Sequence, residues 1–491
     1  MELIDKDLQS IQEVRNLLKE AQKAQEVLST FSQCQIDKII KAIADAGAAN
    51  AEKLAKMANE ETTFGRWQDK VIKNIFGSKG IYEAIKDQKT IGILKENREE
   101  KTIDIGVPAG IIAGIVPSTN PTSTVMYKTL ISIKAGSCIV FSPHPSAKNC
   151  IKETVDILAR AAEVAGCPKG AISTITVPTL QATQELMKHP NTKLILATGG
   201  PAMVKSAYSS GTPAIGVGAG NGPAFIDKSA DLKMAIKRII DSKTFDNGTI
   251  CASEQSIIAE KCMEDKIIAE FKAQGGYYLD PQEAKQLGNF ILRANGSMNP
   301  QIVGKSVEHI AKLAGLTKVP STARVLMAKE TGVGHDVPFS REKLAPILAF
   351  YVEENVDAVL KKSQEILALE GRGHTFSMHA NDEELVKRFA LQIPASRILI
   401  NTLGSLGGVG GTTNLFPALT LGCGAIGGSS SSNNIGPMDL INIKRVAYGV
   451  KEIETLRQEA GVSCSSSNIG NGCCENSLVD EIVRRIMKEL I

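Results

Sequence analysis

The chain has 491 residues, 43% of them hydrophobic, and its 56 Lys and Arg against 53 Asp and Glu give a net charge of +3. This length predicts two or three domains with an ample core, and the near balance of charge argues against a nucleic-acid partner or an anionic membrane surface. The N-terminus lacks a basic stretch followed by an apolar core, and the most apolar stretches are short. We therefore expect a soluble cytoplasmic protein that acts on small molecules.

Helical spacing dominates the first hundred residues. Apolar residues recur at helical intervals over 3–31, again from Ile36, and over 67–85, and a charged stretch at 96–101 is typical of a solvated loop or hairpin. From Ile111 onward, short β-rich runs alternate with helical patterns, which predicts βαβ units and a parallel sheet. The candidate strands of this region cover residues 111–116, 138–141, 172–177, 193–197 and 224–227. Ligands of such sheets bind beyond the carboxyl ends of the strands.

A second α/β pattern occupies the chain beyond residue 250. Its candidate strands cover residues 324–327, 347–352, 375–379 and 397–400, and a helical pattern covers 356–369. A Gly/Ser-rich segment follows at 404–432, and then a β-like run at 439–448. The chain ends with a Ser/Asn/Gly/Cys-rich segment over 463–476, typical of a flexible linker, and an apolar helical stripe over 477–491.

One cysteine of the ten has the setting of a nucleophile. Cys251 lies between a glycine-bearing turn, which allows close backbone approach, and a short β-type run at 255–259 that would fix its position. Taken alone, a free cysteine is more often a small buried hydrophobic residue. The cysteines lack the pattern of a disulfide framework, and the histidines lack metal-ligand spacing, so we predict free thiols and no metal site.

The segment 245–259 resembles the active-cysteine segment of the aldehyde dehydrogenase superfamily, and within it the branch that acylates coenzyme A. With the other motifs described below, the resemblance extends over residues 17–448. It implies an α/β fold with a Rossmann-like dinucleotide-binding domain, an α/β catalytic domain and a small β arm for assembly into a homo-dimer or homo-tetramer. The expected boundaries are 1–240 for the first domain, with 95–106 contributing to the arm, 241–432 for the catalytic domain, 433–450 for the arm, 451–476 for the linker and 477–491 for a terminal helix.

The resemblance also implies the catalytic groups. Cys251 corresponds to the nucleophile, and Asn120 to the asparagine whose amide stabilises the oxyanion formed on attack. Without the resemblance, the Asn-Pro pair would favour a simple turn. His374 resembles an active-site histidine of the acylating branch, which implies a role in accepting the CoA thiol proton or in placing the pantetheine arm. A hydrogen-bonded structural histidine is the alternative.

A nicotinamide cofactor is implied as the hydride acceptor. Thr198, Gly199 and Gly200 follow a strand and open a helix, so that helix N–H groups face a pyrophosphate, although no G-x-G-x-x-G run is present. Glu342 corresponds to a ribose-binding glutamate, with a solvated surface acid as the alternative. The other residues assigned to the cofactor are Pro117, Ser118, Thr119, Ser142, His144, Val217 and Gly218. The adenosine site lacks the lysine of other members, which leaves NAD and NADP both open.

The residue at position 217 distinguishes two reactions. Hydrolytic members of the superfamily carry at this position a glutamate that activates water. Val217 cannot accept a proton, so water would not hydrolyse a thioester on Cys251, and the thiol of coenzyme A would react with it instead. The sequence therefore predicts NAD(P)-dependent oxidation of an aldehyde to an acyl-CoA. The alternatives are a hydrolytic enzyme, a CoA-dependent succinate semialdehyde dehydrogenase in which Arg372 or Arg397 pairs the carboxylate, and a non-catalytic shell-associated binding protein.

The apolar stripe at 477–491 has two interpretations. The simpler one is a helix that packs on its own subunit. Behind a linker, however, the stripe also resembles the peptides that carry enzymes into bacterial microcompartments by binding a shell protein. This second interpretation favours a short volatile substrate, propionaldehyde or acetaldehyde, confined in a microcompartment.

Overall fold

The computed structural model describes residues 5–461, so the predicted terminal helix at 477–491 and the linker beyond 461 lie outside the described residues. The described helices are α1 Lys6–Leu28, α2 Gln33–Ala49, α3 Ala51–Thr62, α4 Trp67–Ile75, α5 Ile81–Ile85, α6 Pro121–Lys134, α7 Lys148–Val164, α8 Leu180–Lys188, α9 Pro201–Tyr208, α10 Leu232–Thr244, α11 Glu264–Ala273, α12 Pro281–Ile291, α13 Val307–Ala314, α14 Val356–Leu369, α15 Glu383–Gln392, α16 Gly404–Gly408 and α17 Ile453–Glu459.

The strands form three sheets. They are β1 Gly92–Asn97, β2 Thr102–Pro108, β3 Ile111–Val116, β4 Ile139–Pro143, β5 Ile172–Thr174, β6 Thr192–Thr198, β7 Ala214–Val217, β8 Pro223–Ile226, β9 Ser256–Glu260, β10 Gly276–Tyr278, β11 Val325–Lys329, β12 Ile347–Glu353, β13 Gly373–His379, β14 Ala395–Ile400 and β15 Ile441–Ala447. By contacts the chain divides into a large unit, Met1–Leu94 with Gly106–Lys444, and a small unit made of Lys95–Ile105 and the chain from Arg445 onward.

The N-terminal helices belong to the same core as the first sheet. Helix α1 begins after Asp5, whose carboxylate accepts hydrogen bonds from the first free N–H groups, and it buries Val14, Leu18 and Leu28 on one face. Helix α3 is absent from the sequence-based prediction. Its buried face consists of Leu54 and small alanines, which give a weak apolar pattern, and it starts directly after α2 ends.

The first parallel sheet has five strands in the order β5-β4-β3-β6-β7. The central strands β3 and β4 are buried along their whole length, as expected for a parallel sheet covered on both faces. Helix α6, buried at every position, follows β3 directly. The loops after β3, β4, β6 and β7 emerge together at the carboxyl edge of this sheet, as the sequence predicted.

The second parallel sheet has seven strands in the order β10-β11-β12-β9-β8-β13-β14. Strand β8 was expected in the first domain, yet it pairs with β9 and β13. The change of sheet therefore falls between β7 and β8, earlier than the boundary expected at 240. Short buried runs such as β8 look alike in every parallel sheet, so the apolar pattern alone does not assign them.

The small unit contains the turn between β1 and β2 and the end of β15. In it, the Tyr448 N–H donates to the Lys101 carbonyl, and Arg445 contacts Asp104 at 3.2 Å. Residues 96–101, expected to form a solvated loop or hairpin, include the turn between the neighbouring strands β1 and β2. Helix α17 lies in the stretch expected to be linker, where an ion pair between Glu454 and Arg457 joins one helical turn to the next.

Candidate active site

A cavity of about 490 Å³ lies in the large unit. The loops that follow β3, β4, β6 and β7 line one side of it, and the loops that precede β9 and β12 line the other. All predicted site residues except His374 line this cavity: Pro117, Ser118, Thr119, Asn120, Ser142, His144, Thr198, Gly199, Gly200, Val217, Gly218, Cys251 and Glu342. The two sheets thus bring the predicted nucleophile and the predicted cofactor residues to one place.

Cys251 is half-buried at the cavity wall, five residues before β9 begins. Its backbone is packed closely by the glycine-rich segment after β7, since a Cβ on Gly220 would stand 2.0 Å from the Cys251 carbonyl oxygen. Burial and the nearby Glu342 carboxylate raise the pKa of the Cys251 thiol to about 12. The surroundings of Cys251 therefore favour the thiol over the thiolate.

Asn120 occupies the N-cap position of α6, with Pro121 at the first helical position. An asparagine at this position usually caps the helix, but the Asn120 side chain makes no such bond. Its Oδ1 instead accepts from Lys73 Nζ at 2.6 Å, and its Nδ2 donates to the Thr249 carbonyl at 2.9 Å. The amide is thereby held beside the backbone that leads into Cys251.

A buried charged cluster that the sequence analysis did not identify supports this arrangement. Lys70 and Lys73, one helical turn apart on α4, both bind Asp246 Oδ2, at 2.9 and 2.5 Å, and all three residues are at most 5% exposed. Asp246 also accepts from the Thr249 hydroxyl at 2.7 Å and from the Arg66 N–H at 2.7 Å. The spacing of the two lysines places them on one helix face, which is the only sequence signal of the cluster.

The carboxyl edge of the five-stranded sheet has the features of a dinucleotide site. Gly200 is the N-cap residue of α9 and makes no side-chain hydrogen bond there. A Cβ built on Gly200 or Gly218 would meet no atom within 4 Å, so there is open space beside the backbone at both positions. A pyrophosphate fits in this space against the backbone N–H groups. Ser142 Oγ and Thr183 Oγ1 are 2.8 Å apart, and the His144 ring binds Ser146. These residues leave room and hydroxyl groups for a nucleotide, which fits the predicted cofactor.

Glu342 is the only carboxylate that lines the cavity among the described residues. Its Oε1 accepts from the Gly220 N–H at 2.8 Å, which links it to the segment packed against Cys251. Burial raises the pKa of Glu342 to about 8, and this places its titration close to neutral pH. Val217 lines the same cavity and is 3% exposed, so the predicted water-activating position carries an apolar side chain.

The structure does not bring His374 to the cavity. Its side chain is fully buried, Nδ1 contacts the Thr375 hydroxyl at 2.8 Å, and Nε2 has no hydrogen-bond partner among the described residues. Burial and the neighbouring Arg397 lower the pKa of His374 to about 3. Arg397 is itself 2% exposed and donates to the Gly422 carbonyl at 2.7 Å. The uncharged, enclosed ring fits the structural alternative better than direct contact with a substrate.

Metal and membrane features are absent from the part of the chain that the structure describes. Within residues 5–461, no group of three or more His, Cys, Asp or Glu side chains is arranged to hold a metal ion. None of the helices described there is both long and apolar enough to cross a membrane.

Comparison with known proteins identifies the family. The aldehyde dehydrogenase family matches residues 5–322. The bifunctional aldehyde-alcohol dehydrogenase AdhE of Escherichia coli is 47% identical over 443 residues, which cover 89% of this chain and 50% of that protein. The succinate-semialdehyde dehydrogenase (acetylating) of Clostridium kluyveri is 36% identical over 446 residues, which cover 91% of this chain and 98% of that protein. The chain thus spans about half the length of the first of these curated relatives.

Solved structures agree with the fold. A probable aldehyde dehydrogenase from Listeria monocytogenes has a TM-score of 0.91 at 65% identity and covers 92% of this chain and 100% of its own. An acetylating aldehyde dehydrogenase from Geobacillus thermoglucosidasius has a TM-score of 0.90 at 51% identity, with coverages of 92% and 99%. A propionaldehyde dehydrogenase from Rhodopseudomonas palustris, with bound CoA and an acylated cysteine, has a TM-score of 0.80 at 27% identity, with coverages of 89% and 97%.

Proposed function

The chain belongs to the aldehyde dehydrogenase family, and relatives that match it over nearly their whole length are acetylating enzymes. We propose that it oxidises a short aldehyde to an acyl-CoA with NAD or NADP. The observation that carries this proposal is the lining of one cavity by Cys251, Asn120 and Val217. Cys251 and Asn120 supply a nucleophile and an oxyanion donor, whereas Val217 supplies no base for water. The overall reaction is aldehyde, NAD(P)+ and CoA to acyl-CoA, NAD(P)H and one proton.

The first half of the reaction takes place on Cys251. Its sulfur gives up the thiol proton to solvent, which is the one proton of the overall reaction, and bonds to the carbonyl carbon while the carbonyl π electrons move to oxygen and give an alkoxide. The Asn120 amide and the Cys251 N–H would donate to this oxygen. When bound, the nicotinamide accepts the hydride that leaves the same carbon, and a thioester on Cys251 remains.

The second half of the reaction needs an acyl acceptor. Val217 cannot take a proton from water, so the thioester persists until the CoA sulfur bonds to the acyl carbon. The Cys251 sulfur then leaves and, with the proton that the CoA thiol gives up, returns to the thiol. The relative from Rhodopseudomonas palustris with bound CoA and an acylated cysteine supports this order. We do not assign the CoA proton to His374, since its ring is buried and its pKa is lowered to about 3.

The walls near the nucleophile favour an apolar aldehyde. Ile250, Val409, Leu419 and Leu421 line the same cavity as Cys251, which suits the alkyl group of propionaldehyde or acetaldehyde. Succinate semialdehyde remains the alternative, supported by the relative from Clostridium kluyveri. It would need a cation for its carboxylate, but Arg372 and Arg397 do not line the cavity.

The choice between NAD and NADP rests on the adenosine side. His144, Thr179 and Thr183 line that end of the cavity, and none of the residues described in 5–461 places a carboxylate there to repel a 2′-phosphate. We therefore propose that the site admits either cofactor.

Homo-oligomer formation through the strand β15 is part of the same proposal, as is docking of residues 477–491 on a microcompartment shell protein. Removal of residues 477–491 should leave turnover unchanged and abolish co-purification with a shell protein, and a loss of folding would contradict this.

The proposed reaction is tested by following reduced cofactor with propionaldehyde, with and without CoA, while the product is identified. Sustained turnover only with CoA, with propionyl-CoA as product, is the expected result. Release of propionate without CoA would favour the hydrolytic alternative, and cofactor binding without turnover would favour a non-catalytic binding protein. A kcat/KM higher for succinate semialdehyde than for propionaldehyde would replace the proposed substrate.

A further inference from the structure

Lys73 connects the buried charged cluster to the candidate oxyanion donor. Its Nζ lies 2.6 Å from Asn120 Oδ1, 2.5 Å from Asp246 Oδ2 and 3.1 Å from the Thr249 hydroxyl. It also lines the cavity, and no other Lys or Arg does so among the described residues. Lys73 thus contacts both a buried carboxylate and a neutral amide.

The cluster has more positive charge than Asp246 alone requires. Lys70 already pairs with Asp246 at 2.9 Å and donates to the Thr119 carbonyl at 3.0 Å, and it does not contact Asn120. Two ammonium groups therefore share one carboxylate oxygen. Asp69 is the other acid nearby, and its carboxylate accepts from the Asp246 N–H at 2.9 Å. The second ammonium, on Lys73, is the one directed at the amide.

The turn that presents Asp246 is itself unusual. Asp246 and Asn247 adopt the left-handed backbone conformation, with φ of 49° and 51°, which few residues other than glycine adopt, although Asp and Asn do so more readily than most. A Cβ on Gly65 would stand 1.8 Å from Asp246 Oδ1, so the neighbouring loop needs a glycine to let the carboxylate in. This left-handed turn places the Asp246 carboxylate against Lys73, five residues before Cys251.

We propose that Lys73 is a positioning residue that orients and polarises the Asn120 amide toward the oxygen of the adduct on Cys251; this inference rests on the proposed function. A lysine ammonium only donates, so it binds the Oδ1 end of the amide and turns the NH2 end away from itself. The same charge draws electron density from the amide and strengthens Nδ2 as a donor. Nδ2 then releases its 3.3 Å contact with Thr119 Oγ1 to bind the alkoxide.

The pH dependence gives a readout that a purely structural role would not affect. Burial lowers the pKa of Lys73 to about 8, with Lys70 lowering it further and Asp246 and Asp69 opposing the shift. The ammonium is therefore lost as pH rises through about 8, and the polarisation of Asn120 weakens. An arginine stays charged throughout this range, so Lys73→Arg would remove that alkaline decline.

The experiment measures the first formation of reduced cofactor, without CoA, in Lys73→Met, Lys73→Arg and Lys134→Met. Lys134 is a fully buried lysine at the other end of α6, paired with Asp37 at 2.6 Å, and serves as the matched control. We expect Lys73→Met to slow this step about a hundredfold with unchanged cofactor affinity, in line with the loss of an oxyanion donor. Lys73→Arg should retain the step within about tenfold and lose the decline above pH 8, and Lys134→Met should keep the wild-type rate.

Cooperative thermal unfolding and cofactor binding establish that each variant is folded. A folded Lys73→Met that reacts within about threefold of the wild-type rate, or a Lys73→Arg that keeps the alkaline decline, would overturn the inference. A folded Lys70→Met that slows the step as much as Lys73→Met would do so too, because Lys70 does not contact Asn120. If the wild-type protein forms no reduced cofactor with any aldehyde, the proposed function itself is contradicted. This result is distinct from the variant results above, which contradict only the role of Lys73.

Discussion

The two parallel sheets present opposite edges to the same cavity. The five-stranded sheet contributes the loops that follow β3, β4, β6 and β7, and these carry the candidate cofactor residues and Asn120. The seven-stranded sheet contributes loops that precede β9 and β12, and these carry Cys251 and Glu342. The rule that ligands bind at the carboxyl ends of parallel strands thus holds for the first sheet and not for the second.

This difference separates binding from bond formation. Carboxyl-end loops open into the N-termini of helices such as α9, where free N–H groups suit a phosphate. The loop before β9 instead ends in a buried strand that fixes the Cys251 backbone. Asn120 is the exception, because it stands on the five-stranded side and is held by Lys73 and by the Thr249 carbonyl near Cys251. Substitutions on the two edges should therefore separate nucleotide binding from chemistry.

The largest expected effect is the loss of the nucleophile. Cys251→Ala should reduce turnover to background while cofactor binding, which we propose for the loops of the other sheet, stays intact. Turnover is followed as reduced cofactor, and binding by calorimetry on the same preparation. Cys262→Ala, an exposed cysteine outside the cavity, is the matched control. Residual turnover in Cys251→Ala that exceeds background would remove Cys251 from its role.

The exception on the five-stranded edge is tested by Asn120→Ala. Loss of one oxyanion donor should slow the formation of reduced cofactor by about 10² to 10³-fold, with little change in cofactor affinity. Rapid-mixing measurements of the first turnover isolate this step. An effect confined to cofactor affinity would place Asn120 with the binding loops instead.

The substitution Val217→Glu tests whether the side chain at this position decides between hydrolysis of the thioester and its transfer to CoA. Val217→Glu puts a carboxylate at the end of β7, where it lines the cavity, and should produce slow acid release without CoA. Val217→Gln has a similar size and no base, so it should release none. Equal acid release from both variants, measured by product analysis, would show that the side chain at 217 does not decide the fate of the thioester.

A smaller effect concerns the charge that Glu342 places near Cys251. The ionised carboxylate raises the pKa of the thiol, so Glu342→Gln should lower that pKa and raise the thiolate fraction at a given pH. Alkylation of Cys251 in the free protein, followed by peptide mass spectrometry from pH 9 to pH 10, where Glu342 is ionised, should then be faster, by about tenfold for each unit by which the thiol pKa falls. Glu354→Gln, at an exposed site, should change nothing. Slower alkylation in Glu342→Gln would contradict the sign of this interaction.

Much of the fold was predictable because its strands are short, apolar and separated by helical patterns. Strand β3 and helix α14 agree with the predicted bounds at both ends. The sheet to which β8 belongs was not predictable, because a buried apolar run carries no information on its partners. Helix α3 was missed, since alanines form most of its buried face.

The site was predictable where a residue lies in a recognisable motif and not where it acts by tertiary contact. Cys251 and Asn120 stand in such motifs, and the structure brings both to one cavity. Lys73 lies 173 positions before its partner Asp246, so only the folded chain joins them. His374 lies in a motif too, yet its ring is fully buried and does not line the cavity.

The most direct test of the account is the fate of the acyl group on Cys251. The protein is mixed with propionaldehyde and oxidised cofactor in the absence of CoA, quenched in acid and digested, and the peptide that contains Cys251 is examined by mass spectrometry. The account predicts a propionyl adduct on Cys251 that persists in water and is converted to propionyl-CoA when CoA is added. An unmodified Cys251 together with accumulating propionate would contradict it.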